Sequence, residues 1–224
     1  METITVLIAD DHTLVRQGLR ALLEAQPDIT VVGEAETGRQ ALQLTLQLNP
    51  QVVVMDIAMP VLNGIEAMRQ IVQEAPATRV VMLSSYSDDE YVCQVAEAGA
   101  VGYLLKQTAA TDLVRAIREA QQGNAFFSPI ISKRLLEACR EKFAKGATAR
   151  TRSERLTSRE SQVLQLVAEG HSNRQISAEL CISAKTVEKH RQELMDKLNI
   201  HDVAGLTRFA ISKGVIQSSL SPRL

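Results

Sequence analysis

Five short runs rich in β-branched residues recur through the first 122 residues, each followed by a stretch of helical period. This alternation narrows the fold more than any other feature. The runs are ITVLIA (4–9), ITVVGEA (29–35), QVVVMD (51–56), RVVML (79–83) and VGYLL (101–105). Helical patterns lie between and after them, at 13–25, 38–48, 63–74, 88–98 and 111–121. Strands joined by crossover helices build a parallel sheet with helices on both faces, and apolar runs such as VVVM suit strands buried on both sides. The expectation is a doubly wound, five-stranded parallel α/β sheet.

In such a sheet ligands bind beyond the carboxyl ends of the strands. Asp10 and Asp11 fall at that end of the first strand, Asp56 at that end of the third and Ser84 at that end of the fourth, while Lys106 closes the fifth. Three crowded carboxylates repel one another and call for a cation. Oxygen ligands of this kind suit Mg²⁺, which takes one or two carboxylates and keeps waters for a phosphate. A carboxylate beside Mg²⁺ can attack a phosphoryl group and form an acyl phosphate. Ser84 is then placed to hydrogen-bond a phosphoryl oxygen and Lys106 to pair with its charge. Taken singly, an Asp pair before a helix reads as capping, a strand-end Lys as solvated and a Ser as a turn residue. Their joint placement on successive strand ends makes coincidence a poor account.

The pattern changes after residue 122. SPIISKRLLEACREKFAKG (128–146) reads as one amphipathic helix, with Ile131, Leu135, Ala138 and Phe143 near helical spacing. GATARTRSER (146–155) is small, polar and basic, the composition of a flexible linker. Four short helical patterns follow with no strand, at 158–169, 173–180, 184–198 and 202–213. Ile176 and Leu180 point inward from the second, and Ser183 can cap the third. In the third, Val187, Leu194 and Leu198 share one face, and Lys185, Glu188, Lys189 and Gln192 project from the opposite one. A polar first half on the second helix of a helix-turn-helix is what major-groove reading requires, although any surface helix has a charged face. His12, His171, His190 and His201 form no helical i, i+4 metal pair, which speaks against a ligand role. His190 suits packing with a phosphate contact. Phe126 and Phe127 suit anchoring of the connector against a domain better than stacking on bases.

These motifs carry a resemblance. LIADDH, VVVMDIAMP, VVMLSSYSDDE and GAVGYLLK resemble the receiver domain of two-component response regulators, which is flavodoxin-like. LTSRE, LVAEGHSNRQIS, ISAKTVEKHRQELMDKL and AISKGVI resemble the LuxR-type helix-turn-helix of the NarL/FixJ class. The resemblance implies a receiver at 1–122, a connector helix and linker at 123–153 and a helix-turn-helix domain at 154–217. It implies that Asp56 is the phosphoacceptor, with Mg²⁺ held by Asp10, Asp11, Asp56 and the backbone carbonyl of Ala58. Ser84 and Tyr103 become the switch residues and Lys106 the phosphate partner. The DNA-contacting set becomes Lys185, Thr186, Glu188, Lys189, His190, Gln192 and Lys197, the last to phosphate, with dimer contacts at Val203, Leu206 and Ala210. Three positions depart from the pattern: Gln107 where Pro is common, Ser177 where Ala is usual, and Glu188 where a basic residue is common.

The implied function is a DNA-binding transcriptional regulator switched by Mg²⁺-dependent phosphorylation of Asp56. Its implied partners are a sensor histidine kinase, double-stranded DNA at paired half-sites, a second copy of the phosphorylated chain, and RNA polymerase. A haloacid-dehalogenase-type phosphohydrolase is the enzymatic alternative, but it needs an Asp two residues after the nucleophile, and position 58 is Ala. The chain therefore reads as a regulator and not an enzyme. Composition agrees. No apolar run reaches the roughly 18 residues of a membrane span, and the first residues are acidic where a signal peptide is basic. Cys93, Cys139 and Cys181 are widely spaced and odd in number, which fits a reducing cytoplasm. Residues 1–122 hold 16 Asp/Glu against 8 Lys/Arg, and residues 123–224 hold 10 against 17, an acidic half joined to a basic one.

Overall fold

A computed structural model describes residues 3–84, 89–144 and 156–216. Strands β1 (Ile4–Ala9), β2 (Ile29–Ala35), β3 (Val52–Asp56), β4 (Arg79–Ser84) and β5 (Gly102–Leu105) alternate with helices α1 (Thr13–Glu24), α2 (Gly38–Leu48), α3 (Gly64–Glu74), α4 (Asp89–Glu97) and α5 (Ala109–Gln121). All strand pairings are parallel. Side chains alternate across the pleat, so one strand feeds two cores. Leu7 and Ala9 of β1 join one cluster with Ala41, Met68 and Val92 from α2, α3 and α4. Val6 and Ile8 join the other, with Leu19, Leu23, Leu113 and Ile117 from α1 and α5.

The sheet has a sixth strand, β6 (Phe126–Phe127), and runs in the order β2-β1-β3-β4-β5-β6. The expectation of five strands is corrected here, because two residues are too short to show any period in sequence. Phe126 and Phe127 do anchor the connector: they pair with Gly102 and Tyr103 of β5, and the Arg115 guanidinium lies 5.3 Å from the Phe126 ring centroid. Helix α6 (Pro129–Ala144) follows. Its Ile131 is fully buried in the first cluster, with Leu135 packed alongside.

Contacts divide the chain into Met1–Ala147 and Thr148–Leu224, so α6 falls in the same unit as the sheet. The linker expected at 146–155 lies outside the described residues. The second unit contains α7 (Ser158–Ala168), α8 (Asn173–Glu179), α9 (Ala184–Leu198) and α10 (Val203–Ser212). Each begins at a side-chain cap: Thr157, Ser172, Ser183 and Asp202 accept the orphan N–H of the first turn. Their inward residues, Val163, Leu166, Ile176, Val187, Leu194, Leu206 and Ala210 among them, form one core. No helix of the described residues is long and apolar enough to cross a membrane.

Candidate phosphoacceptor pocket and nucleic-acid interface

The strand ends converge as the sequence implies. Asp10 and Asp56 are buried, at 0% and 2% exposure, and so is Ser84 at 1%. The Lys106 Nζ lies 2.8 Å from Oδ2 of both Asp10 and Asp56, bridging the two carboxylates. The other oxygens are taken by backbone: Asp56 Oδ1 accepts from the Ile57 N–H at 2.8 Å, and Asp10 Oδ1 from the His12 N–H at 2.9 Å. The Lys106 N–H donates to the Ser84 carbonyl at 2.8 Å and ties the end of β5 to that of β4. The backbone after Asp56 is equally confined. A Cβ on Gly64 would stand 1.9 Å from the Asp56 carbonyl oxygen, so only glycine fits there.

Burial raises the Asp56 carboxyl to about 6; the Lys106 charge opposes this and Asp10 adds to it. Burial works against the Lys106 ammonium, but Asp56 and Asp10 together hold it above its ordinary value. The donor set suits a hard divalent cation. Atoms of Asp10, Asp11, His12 and Asp56 that can ligate a metal all lie within 4.8 Å of one another. His12 belongs to this pocket, with Nδ1 2.8 Å from Asp11 Oδ1, and the reading of the scattered histidines missed it. A search for helical i, i+4 pairs does not find a histidine that follows its carboxylate partners in a loop. Tyr103 is fully buried in the first cluster, and Ala58 is buried in the loop after Asp56.

In the second unit, Lys185, Glu188, Lys189 and Gln192 are all exposed on α9. Thr186 is half-buried, with its hydroxyl 2.8 Å from Ser183 Oγ at the cap. His190 is half-buried and its Nδ1 lies 3.4 Å from Glu193. Lys197 is half-buried on the same helix. Its Nζ lies 2.8 Å from Glu160 Oε2 on α7, an ion pair inside the unit that competes with a phosphate contact. Leu206 and Ala210 are corrected: both are fully buried in the helical core, so they hold the fold rather than offering a dimer contact. Val203, 46% exposed, remains on the surface.

Two families match along the chain. The response regulator receiver domain matches residues 6–118, and the luxR family of bacterial regulatory proteins matches residues 154–210. The chain belongs to the response regulators. It is 42% identical to the transcriptional regulatory protein LiaR of Bacillus subtilis, over 89% of this chain and 92% of that one. It is 36% identical to the response regulator VraR of Staphylococcus aureus, over 96% and 100%. Among solved structures, the RcsB response regulator of Salmonella typhimurium matches with a TM-score of 0.65 at 29% identity, over 95% of this chain and 99% of that one. An RcsB–DNA complex matches with a TM-score of 0.58 at 29% identity, over 94% and 99%. This response regulator thus joins a receiver to a LuxR-type helix-turn-helix domain, as DNA-binding transcriptional regulators of two-component systems do. Receivers bind Mg²⁺ at an acidic pocket of the kind formed by Asp10, Asp11 and Asp56.

Proposed function

We propose that Asp56 accepts a phosphoryl group from a sensor histidine kinase and that the phosphorylated chain regulates transcription as a DNA-bound dimer. The observation that carries this is the Lys106 ammonium bridging Asp10 and Asp56 at the strand ends. A buried carboxylate with a cation beside it is placed to become an acyl phosphate. In the reaction a carboxylate oxygen of Asp56 bonds to phosphorus while the bond from phosphorus to the donor's imidazole nitrogen breaks. Asp10, Asp11, Asp56 and the Ala58 carbonyl would hold Mg²⁺, which supplies positive charge to the phosphoryl oxygens when bound. Lys106 turns from carboxylate to phosphoryl oxygen, and Ser84 donates a hydrogen bond to it. The buried Tyr103 follows Ser84.

Output rests on α9. Lys185, Glu188, Lys189 and Gln192 are exposed within about two turns and can meet adjacent base pairs in one major groove. Thr186 and His190 flank them, and DNA binding by the relative RcsB supports this use of the fold. Val203 lies at the dimer contact, and RNA polymerase is the further partner. The chain serves as phosphoryl acceptor and switch in the cytoplasm rather than as an enzyme, since Ala58 provides no acid or base beside Asp56.

Incubation with Mg²⁺ and acetyl phosphate should add one hydroxylamine-labile phosphate. Asp56→Asn should abolish it, and Lys106→Ala should keep the acceptor while weakening the gain in DNA affinity. Stable phosphorylation of the Asn variant at another residue would sink the assignment.

A further inference from the structure

Arg16 occupies an unusual place for an arginine. It lies on the inward face of α1 in line with Leu19 and Leu23, and is 5% exposed. A buried guanidinium is costly unless its donors are paired. Here the guanidinium reaches the loop that holds the acidic pair, the start of α1 and the end of β2. Arg16 Nη1 donates to the Asp10 carbonyl at 2.7 Å. Nη2 meets the Glu36 carboxylate and lies 3.5 Å from Thr13 Oγ1. Nε lies 3.4 Å from Glu34 Oε2. Glu34 and Glu36 sit at and just past the end of β2, so Arg16 links three segments: α1, the end of β2 and the first residue beyond β1.

The bond to Asp10 matters most. The Asp10 N–H donates to Ala35 O at 3.1 Å and extends the sheet by one residue. Its carbonyl is taken by Arg16. With both backbone groups fixed, the Asp10 side chain is aimed so that Oδ1 meets the His12 N–H and Oδ2 meets Lys106. We propose that Arg16 is a positioning residue of the cation site, fixing the Asp10 backbone so that the Asp10 and Asp11 carboxylates face Asp56. This rests on the reading of the pocket as a Mg²⁺ site. Outer partners that orient metal ligands commonly change metal affinity by about 10-fold or more when removed.

Arg20 supplies the control. It also pairs with Glu34, at 2.6 Å, and with Glu24, at 2.8 Å, but has no bond to Asp10. Mg²⁺ affinity of the full chain is measured by titration calorimetry, and stability by thermal unfolding. Arg16→Met should weaken Mg²⁺ binding by about 10-fold, while Arg20→Met stays within about twofold of the parent. Arg16→Lys should recover part of the affinity, because an ammonium can reach the Asp10 carbonyl but not all its other acceptors. Glu36→Gln, which loosens the guanidinium but spares its bond to Asp10, should fall between. If Arg16→Met does not fold, Arg16→Lys and Glu36→Gln decide, and parental affinity in both overturns the proposal. Equal Mg²⁺ affinities in the Arg16→Met and Arg20→Met chains overturn it as well. Asp11→Asn tests the underlying site separately: parental Mg²⁺ affinity in that chain would overturn the cation-site reading itself.

Discussion

Burial keeps the Asp56 carboxyl at about 6 although the Lys106 ammonium lies 2.8 Å away, so the buried charge is incompletely compensated. The folded value lies above the ordinary 3.8, and the folded chain therefore takes up a proton that the unfolded chain releases. Without metal, this contribution to stability is full below about pH 4 and is lost as pH rises through about 6, at most about 3 kcal/mol in all. Asp56→Asn has no such charge. Its stability advantage over the parent in urea should be small near pH 4.5 and near its maximum at pH 7.5, and an advantage independent of pH would contradict the linkage. Val61, three residues before the start of α3, carries a different strain. Its φ of 69° places a β-branched residue in the left-handed region. Val61→Gly should raise stability by about 0.5–1 kcal/mol, read from thermal unfolding, because relief of the backbone outweighs the added freedom of the unfolded chain.

At the scale of elements, the second unit depends on a pair that joins α7 to α9. Glu160 Oε2 accepts from the Thr157 N–H at 2.7 Å and from Lys197 Nζ at 2.8 Å. Burial works against the Glu160 charge, but Lys197 and the Thr157 N–H hold its carboxyl below the ordinary value. The sign is opposite to that of Asp56: this stability is present above about pH 4.5 and is lost as pH falls further. Glu160→Gln keeps the cap and loses the ion pair, so it should cost about 1 kcal/mol at pH 7 and less near pH 4, measured by thermal unfolding. That pair also shows why part of the interface was hidden in the sequence. Lys197 projects from a polar-looking helix, and its partner lies 37 residues earlier, on another element. Leu206 and Ala210 fail for a related reason, since spacing alone does not divide a core face from a dimer face. The strands and their charged ends were legible because β-branched runs and isolated Asp, Ser and Lys residues state their places locally. Arg16 left a fainter signal: a charged residue standing on the apolar stripe of α1, beside Leu19 and Leu23.

For the whole molecule, the distribution of charge follows the connector more than the recognition helix. Residues 153–224 hold 10 Lys/Arg against 8 Asp/Glu, whereas residues 123–152 hold 7 against 2. Yet α6, which carries part of that basic run, has its Ile131 in the core of the first unit. Cutting the chain between the two units, after Ala147, would therefore leave much of the positive charge behind with the sheet. The isolated second unit should bind DNA with a shallower dependence of log affinity on log salt than the full chain, as fluorescence anisotropy across a salt series can measure. Equal slopes would mean that the connector stays clear of phosphate. The burial of Ile131 thus fixes which side of a protease cut keeps α6, and with it how many counterions each fragment can release from DNA.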